Sequence, residues 1–355
     1  MNQTTKQYFA SLNTTNGFKS YFDKVFNPEK LEKIYILKGG PGTGKSGLMK
    51  YISEEAKKLK LDVEEFLCSS DPNSLDGILI PEMALAIFDG TSPHMKDPVF
   101  PGVVEHVINT GSFWNTVHLL EHKKAIISLM QEKKRLYLQA YRFLKAYGEI
   151  EEELLHLSKE FLLEEKMAKT VQRLSDLFFR KQGVFSQQIR NTVTVCGKGI
   201  VSLNTFESLS EKIYYIRDEV FSAYHFLDAL YEEGKKKGQA VTVSHSFRFP
   251  DRLNGLYFPT QRLCFVIADP LQEEQEAKEC HIINMKRFLD GNRLKNHKEK
   301  IKFGKKCSQM LLEVTTQAFG EAAKIHCNLE HYYLTAMNFD RLQSEIQVLR
   351  EEIFR

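Results

Sequence analysis

The stretch at residues 33–50, KIYILKGGPGTGKSGLMK, constrains the fold more than any other part of the chain. Its apolar run at 34–37 predicts a buried strand, and GGPGTGKS at 39–46 fits G-x-x-x-x-G-K-[ST], the pattern of a phosphate-binding P-loop. Apolar residues with helical spacing follow. Strand, glycine-rich loop and helix in this order are the context in which the pattern binds phosphate. We therefore predict an α/β, P-loop NTPase-type fold with a mostly parallel sheet flanked by helices.

The residue types of this loop suit a nucleoside triphosphate and its magnesium ion. Glycines let successive backbone N–H groups curl around phosphate oxygens, and the following helix directs its positive end at the same anion. Lys45 is expected to reach the β- and γ-phosphates, and the Ser46 hydroxyl to bind Mg²⁺. The alternative is a glycine turn that binds nothing. We predict ATP and Mg²⁺ as cofactors and a nucleotide site formed by Gly39, Gly40, Pro41, Gly42, Thr43, Gly44, Lys45, Ser46 and Gly47.

A second apolar run, at residues 83–88, ends in Asp89. An apolar strand that ends in an acid, at this distance after a P-loop, is the Walker B pattern, in which the carboxylate holds the magnesium ion opposite the P-loop serine. Asp89 and Ser46 are therefore the predicted metal residues. Many strands end in an aspartate turn, which is the alternative for Asp89.

No glutamate follows Asp89, so the residue that activates water must come from elsewhere. Asp71 and Asp76 lie in a predicted polar loop after an apolar run at residues 63–67, and such loops reach the crevice at the carboxyl ends of an open α/β sheet. Together with Lys45 they are predicted to be catalytic. His94 is a further candidate. Each of Asp71, Asp76 and His94 could instead be a turn former or a cap.

Residues 113–179 have helical spacing almost throughout, which predicts long amphipathic helices that form a lid or hairpin beside the sheet. The first arginine of the chain is Arg135, so an arginine finger acting in cis must come from these helices or from the second half. Arg142 is the first candidate for this catalytic role, and an exposed helix arginine is the alternative reading.

The second half of the chain repeats the first. This pattern predicts a tandem duplication, with a P-loop NTPase domain and helical appendage at residues 1–180 and a degenerate copy at 181–355. The main matches are 72–81 with 250–259, 106–109 with 281–284, and the strand before Asp89 with CFVIAD at 264–269.

The second copy lacks the P-loop. Opposite residues 39–46 it has DEVFSAY at 218–224, which contains no glycine and no lysine. Its two acids would repel a phosphate group. We predict a module that keeps the sheet and has lost the triphosphate site, in which Asp269 is structural.

Aromatic residues are frequent in the first thirty positions. They could cover one face of the NTPase core or clamp a nucleotide base. The residues concerned are Tyr8, Phe9, Phe18, Tyr21, Phe22 and Phe26.

Composition excludes several classes of function. The net charge of +3 is too small to indicate nucleic acid or an anionic membrane as a partner. No stretch approaches the ~20 apolar residues of a membrane helix, and the N-terminus has no apolar signal core. Six cysteines without C-x-x-C spacing fit reduced cytosolic thiols. We expect a cytoplasmic chain whose partner besides ATP, a protein or a small molecule, is unassigned.

The motifs KGGPGTGKS, CSSDPxSLDG, DGTxPH, PGxVExVxxxGxFW and AYRFL resemble those of a family of uncharacterised tandem P-loop ATPases from endospore-forming Firmicutes. The resemblance covers the whole chain. It implies a P-loop fold, ATP binding, a cytoplasmic setting, and nucleotide and Mg²⁺ roles for Lys45, Ser46 and Asp89. The family usually has a Walker A motif in its second half as well. This chain departs from the family there, so the resemblance does not imply two nucleotide sites.

Three functions follow from these patterns. The first is an ATPase that couples hydrolysis to movement of the helices and the inactive module. The second is a nucleotide or small-molecule kinase whose acceptor binds at residues 71–77. The third is a nucleotide-gated interaction protein without hydrolysis. The lack of arginine before Arg135 disfavours a kinase, and the lack of an acid beside Asp89 favours slow turnover. No N-K-x-D guanine motif is present, and no adenine-specific motif distinguishes ATP from GTP.

Overall fold

The computed structural model describes residues 6–180, 183–268 and 279–355. These residues form the predicted α/β architecture, with two six-stranded, mostly parallel sheets flanked by helices. The predicted structural residue Asp269 lies outside the described residues. Among the described helices, none is both long enough and apolar enough to cross a membrane.

The first half of the chain runs to the end of the fifth helix. Its elements are β1 (Lys6–Phe9), β2 (Ser11–Thr14), β3 (Gly17–Ser20), α1 (Phe22–Val25), β4 (Lys33–Lys38), α2 (Lys45–Lys58), β5 (Glu64–Leu67), β6 (Leu75–Ile80), β7 (Leu85–Asp89), β8 (Glu105–Asn109), α3 (Thr116–Glu121), α4 (Lys123–Phe161) and α5 (Glu164–Phe178).

The second half has the same series of elements, and the predicted boundary at residue 180 falls between α5 and its first strand. Its elements are β9 (Ser186–Ile189), β10 (Val193–Cys196), β11 (Gly199–Ser202), α6 (Thr205–Leu209), β12 (Lys212–Arg217), α7 (Ala223–Lys236), β13 (Ala240–His245), β14 (Leu253–Phe258), β15 (Leu263–Ile267), β16 (Glu279–Asn284), α8 (Gly291–Asn296), α9 (Lys298–Ala336) and α10 (Phe339–Ile353).

The two sheets have the same strand order. The first is β1-β5-β6-β7-β4-β8 and the second, read in the same direction, is β9-β13-β14-β15-β12-β16. In each sheet only the third strand, β6 or β14, is antiparallel to its neighbours. Agreement in order, direction and helix length supports the duplication that the repeated sequence patterns predict.

Strand β6 was not predicted. Sequence analysis placed both Asp71 and Asp76 in a polar loop, but the loop ends at Ser74 and Leu75–Ile80 form a buried strand. Asp76 is therefore a buried strand residue and not a loop residue. The prediction failed because turn-forming residues dominate the stretch, whereas the apolar residues that continue the strand come after it.

Sheet register also corrects one repeat match. Asp89 pairs with Leu37 on β4, and the residue in the same place opposite β12 is Ile267, which pairs with Ile216. The sequence match of CFVIAD had placed Asp269 at this position. The second half therefore has an apolar residue where the first has Asp89, the predicted Walker B acid.

Five of the six aromatic residues of the N-terminal segment belong to the core, and the sixth, Phe18, is half-buried and stacks on His94. Tyr8, Phe9, Tyr21, Phe22 and Phe26 are all buried, which excludes the base-clamp interpretation for them. They join one hydrophobic cluster that extends through both sheets. The two halves therefore share a continuous core.

Residues 113–179 form the predicted long helices, but α4 pairs with α9 of the second half and not with a helix of its own half. α4 and α9, each of 39 residues, run antiparallel, with Tyr137 against Phe319 (ring centroids 5.8 Å apart) and Leu154 against Gly304. The end of α9 thereby reaches the glycine-rich loop of the first half.

The last helix of each half packs against the other half. The Arg350 side chain on α10 donates to Glu55 on α2 at 2.6 Å, and Lys237, which follows α7, pairs with Asp176 on α5 at 2.7 Å. This exchange brings into contact residues that are far apart in the sequence, 295 positions for Arg350 and Glu55.

Candidate phosphate-binding site

The loop between β4 and α2 has the backbone that its glycines predict. Gly42 and Gly44 have φ values of +68° and +77°, which L-residues with side chains rarely adopt. At Gly39 an added Cβ would lie 2.2 Å from the Thr110 hydroxyl oxygen. Gly44 precedes the first turn of α2, so the loop lies at the positive end of a 14-residue helix. Gly47 is exposed and has open space around it, and nothing in the structure requires glycine there.

Lys45 folds back over this loop. Its ammonium donates to the carbonyl oxygens of Gly39 at 3.1 Å and Gly40 at 2.7 Å, and it lies 3.5 Å from Asp89 Oδ2. The Lys45 and Asp89 side chains are mostly buried, at 10% and 17% exposed. The structure thus brings the predicted phosphate-binding lysine and the predicted Mg²⁺ acid together.

The hydroxyl groups of the loop are held by backbone atoms. Ser46 Oγ accepts a hydrogen bond from the Leu75 N–H at 2.9 Å, which keeps a lone pair of that oxygen available for a cation. Thr43 Oγ1 donates to Gly40 O at 2.9 Å and lies 3.0 Å from Thr110 Oγ1. These bonds hold the loop in its curled form.

Asp76 lies beside Asp89. It precedes Gly77, which pairs across the sheet with Phe88, the residue before Asp89. Burial, with the Asp89 carboxylate as a smaller contribution, raises the pKa of Asp76 from 3.8 to about 6, although His94 and Lys45 oppose this. A carboxyl group with a pKa near neutrality, close to a phosphate-binding lysine, is suited to accept a proton at physiological pH.

His94 lies on the core side of Asp76. Its ring stacks on Phe22 with centroids 4.6 Å apart, and among the described residues neither ring nitrogen has a hydrogen-bond partner. The Cys68 thiol is also beside Asp76, and burial raises the pKa of that thiol, with the Asp76 charge as a further cause. His94 and Cys68 therefore form the wall behind the carboxyl group.

The end of α9 and the start of α10 cover the loop. An added Cβ at Gly40 would lie 3.4 Å from Tyr333 and 3.1 Å from Trp114, and one at Gly42 would lie 3.1 Å from Leu334. At Gly44 the nearest atom would belong to Leu342, at 2.8 Å. We call the C-terminal part of α9 from His326 onward, together with α10, the cap. No P-loop pattern predicts these residues.

Glu330 is the charged residue of the cap at the loop. The Gly42 N–H group faces its carboxylate and lowers its pKa, but burial is the larger effect and the net pKa is raised. Asp71, Lys133 and Lys45 also act on this carboxylate. Glu330 therefore competes for the kind of backbone donor that a P-loop offers to phosphate.

Lys133 contributes a cation from α4. Its Nζ lies 3.2 Å from His326 Nδ1, and burial lowers its pKa. His326 Nε2 is 3.5 Å from Glu330 Oε1, and burial, reinforced by the Lys133 and Lys45 charges, lowers the pKa of His326 to about 4. Sequence analysis missed Lys133, His326 and Glu330 because nothing in the sequence pairs α4 with α9.

Asp71 lies at the open side of this group. Its Oδ1 accepts a hydrogen bond from the Asn73 N–H at 3.2 Å, as expected if Asp71 forms the turn. Its charge also acts on His326 and Glu330, so it lies near the cap as well.

The structure does not bring Arg142 to the loop. Arg142 is exposed on α4, and within the described part of the chain it has no hydrogen bond or ion pair. It lies nine residues after Lys133, about 13 Å further along the helix axis. Its placement is that of the alternative reading, an exposed helix arginine, and Lys133 is the α4 cation at the site.

The corresponding loop of the second half is closed by its own side chain. Five residues separate β12 from α7, whereas six separate β4 from α2. The Asp218 carboxylate accepts hydrogen bonds from the Val220 N–H at 3.0 Å, the Ser222 hydroxyl at 3.1 Å and the Ala223 N–H. Burial raises the pKa of Asp218 despite these donors. Sequence analysis expected its acids to repel a phosphate; Asp218 instead occupies the backbone donors that would bind one.

The first loop fits ATP and Mg²⁺, and the second does not. The first has the glycine backbone, a lysine, a free face of Ser46 Oγ and the Asp89 carboxylate, which are the donors and ligands that these groups require. Comparison with models of protein families, with curated proteins and with solved structures found no match to this chain. The functional inference therefore rests on its motifs and on its own geometry.

Proposed function

We propose that the chain binds and hydrolyses ATP with Mg²⁺ at the loop between β4 and α2, and that turnover moves the cap. The observation that carries this proposal is the meeting of Lys45, Asp89 and Asp76 at the N-terminus of α2. A positive charge for phosphate (Lys45), a carboxylate for Mg²⁺ (Asp89) and a carboxyl group with a pKa of about 6 (Asp76) therefore lie close together.

Each residue has one role in this proposal. Gly39–Gly44 direct backbone donors at the phosphates, and Lys45 leaves Asp89 to pair with phosphate oxygens. Ser46 and Asp89 would hold Mg²⁺, which when bound would supply charge neutralisation at the phosphates. Asp76 accepts the proton of the attacking water, because its carboxyl group is mostly ionised above pH 6. Asp71 stays a second candidate for that base, since it is exposed at the open side and its charge acts on His326 and Glu330.

Coupling to the cap follows from the position of Glu330. A triphosphate in the loop would stand against this carboxylate, and like charges repel. Binding therefore favours an arrangement in which α9 moves away from the loop. Because α9 belongs to the second half and pairs with α4, such a movement would be transmitted along both of these helices.

The proposed setting is cytoplasmic, as the resemblance to tandem P-loop ATPases implies. ATP is the proposed substrate, and a protein or small molecule that responds to the moving helices is the proposed partner.

The test measures ATP binding and phosphate release by the purified chain with Mg²⁺. Wild type should bind and hydrolyse ATP. Lys45→Ala should lower turnover roughly 1,000-fold, because the phosphate charge loses its positively charged partner. The second half has alanine, Ala223, at the equivalent position. Lys58→Ala is the control, since Lys58 lies on the exposed far end of the same helix.

Three outcomes decide between the functions. Unchanged ATP affinity in Lys45→Ala would refute the site assignment. Binding with no hydrolysis would favour the nucleotide-gated interaction protein. Phosphate transfer that requires an added hydroxyl compound would favour the kinase.

A further inference from the structure

A second chemical cluster lies at the C-terminal end of α3. His118, Glu121 and His122 each offer one ligand atom, and these three atoms lie within 4.8 Å of one another. The spacing i, i+3, i+4 places them on one face of the helix. Two imidazoles and a carboxylate are a ligand set that zinc uses in proteins.

The hydrogen bonds around His118 determine which nitrogen is free. The Thr335 hydroxyl donates its single hydrogen to the α9 backbone, where His331 O is 3.0 Å away and Tyr332 O 3.1 Å. It can therefore only accept from His118 Nε2, which lies 3.2 Å from it. The hydrogen of neutral His118 is thus on Nε2, and Nδ1 has an unshared lone pair.

This lone pair faces a carboxylate. His118 Nδ1 lies 3.8 Å from Glu121 Oε2, and the His122 ring centroid is 4.9 Å from that of His118. Two electron-rich groups at this separation are stabilised by a cation between them. An outer hydrogen bond such as that of Thr335 is what orients a metal-binding histidine.

We propose that His118 Nδ1, Glu121 and His122 bind a divalent first-row transition metal ion, with Zn²⁺ as the best fit. Tetrahedral zinc places ligand atoms about 3.3 Å apart, so the side chains must close slightly. They are free to do so, because the His118 and Glu121 side chains are 32% and 66% exposed. Three protein ligands leave one position for water.

The ion would also strengthen the contact between the halves. Thr335 lies on α9, next to Leu334, which covers Gly42. Fixing His118 by a metal therefore fixes the ring that is hydrogen-bonded to the cap. The second half has no counterpart, since the equivalent positions carry Arg293, Asn296 and His297.

The test is calorimetric titration of the tag-free full chain with Zn²⁺, without nucleotide. Wild type should bind one equivalent through this site. His118→Ala combined with His122→Ala should weaken binding at least about 100-fold, and Thr335→Val about 10-fold. His297→Ala, the matching histidine of the second half, should bind like wild type. Circular dichroism confirms that each variant is folded.

Cysteine is the competing ligand, and Cys327 is exposed. Co²⁺ used as the probe should therefore show no thiolate charge-transfer absorption, and Cys327→Ser should leave the affinity unchanged. Absence of Zn²⁺ binding in wild type would overturn the proposal. Equal binding by the double histidine variant, or a thiolate spectrum with Co²⁺, would overturn it as well.

Discussion

The two halves share a scaffold and differ at the four positions where phosphate chemistry would occur. Both have the same strand order, a 14-residue helix after the central strand and a 39-residue helix that crosses to the other half. The first half has Lys45, Ser46, Asp76 and Asp89, and the second has in the same places Ala223, Tyr224, Asn254 and Ile267. The fold therefore does not depend on the residues that would bind nucleotide.

The second loop shows how such a scaffold survives the loss. Asp218 satisfies the donors of its own loop, and the Tyr224 hydroxyl lies 3.1 Å from Ser246 Oγ in a fully buried position. The helix residues that cover the two loops also differ in polarity. Glu330 lies over the first loop, whereas the equivalent Leu155 packs with Tyr224 over the second. A polar cap yields to a charged ligand more easily than an apolar one does.

Asp76→Asn installs the residue of the second half, Asn254, and should have the largest effect on turnover after Lys45→Ala. We expect hydrolysis to fall about 100-fold or more with little change in ATP affinity, because the base is lost. The wild-type rate should decline as pH falls below about 6, when Asp76 becomes protonated, and the variant should lack this decline. Rates of phosphate release from pH 5 to 8 measure both.

Asp71→Asn is the comparison for that experiment. Its amide oxygen can still accept from the Asn73 N–H, so the turn should persist. A greater loss of turnover in this variant than in Asp76→Asn would assign the base to Asp71.

Asp76→Asn should also change the pH dependence of stability. The folded pKa of about 6 exceeds the ordinary value of 3.8, so ionising Asp76 costs the folded state free energy as pH rises between these values. Relative to wild type, the variant should gain up to about 3 kcal/mol in free energy of unfolding above pH 6, and nothing near pH 4. Urea unfolding at both pH values tests this, and a gain that does not depend on pH would contradict it.

Asp218→Ala should destabilise the second half without affecting ATP binding or hydrolysis at the first loop. Removing the carboxylate leaves the Val220 and Ala223 N–H groups without their acceptor, at a cost of about 1–3 kcal/mol in free energy of unfolding. Glu219→Ala is the neighbouring control, because its exposed ion pair with Lys286 contributes less than about 1 kcal/mol. An unchanged free energy of unfolding in Asp218→Ala would contradict the closed loop described here.

Glu330→Gln should have the smallest effect of these variants, and it should strengthen ATP binding where the others impair function or stability. Removing the charge that faces Gly42 should tighten ATP binding about 5-fold, equivalent to about 1 kcal/mol. Glu330→Leu, which imitates Leu155 of the other cap, should instead weaken it. Glu321→Gln, an exposed change on the same helix, is the control for net charge. Weaker binding in Glu330→Gln would show that the carboxylate does not oppose the nucleotide.

The sequence predicted the parts of the site that lie close together along the chain. The strand β4, the curled loop, α2 and the acid at the end of β7 follow from local apolar patterns and from glycine. The duplication was also visible, because ordered matches survive small insertions. Strand β6 was not, since turn-forming residues hide its first residues, and the equivalent of Asp89 was misplaced by two residues because only sheet register resolves such a shift.

Only the tertiary structure determined which residues cover the glycine-rich loop and which charged side chains, distant in sequence, lie close to it. Glu330, Tyr333 and Leu334 reach Gly40 and Gly42 only because α4 and α9 pair across the two halves. Local sequence determines whether a segment can be a strand, a loop or a helix. It does not determine which two amphipathic helices bury their apolar faces against each other, because many pairings satisfy the same apolar pattern until the whole core is packed.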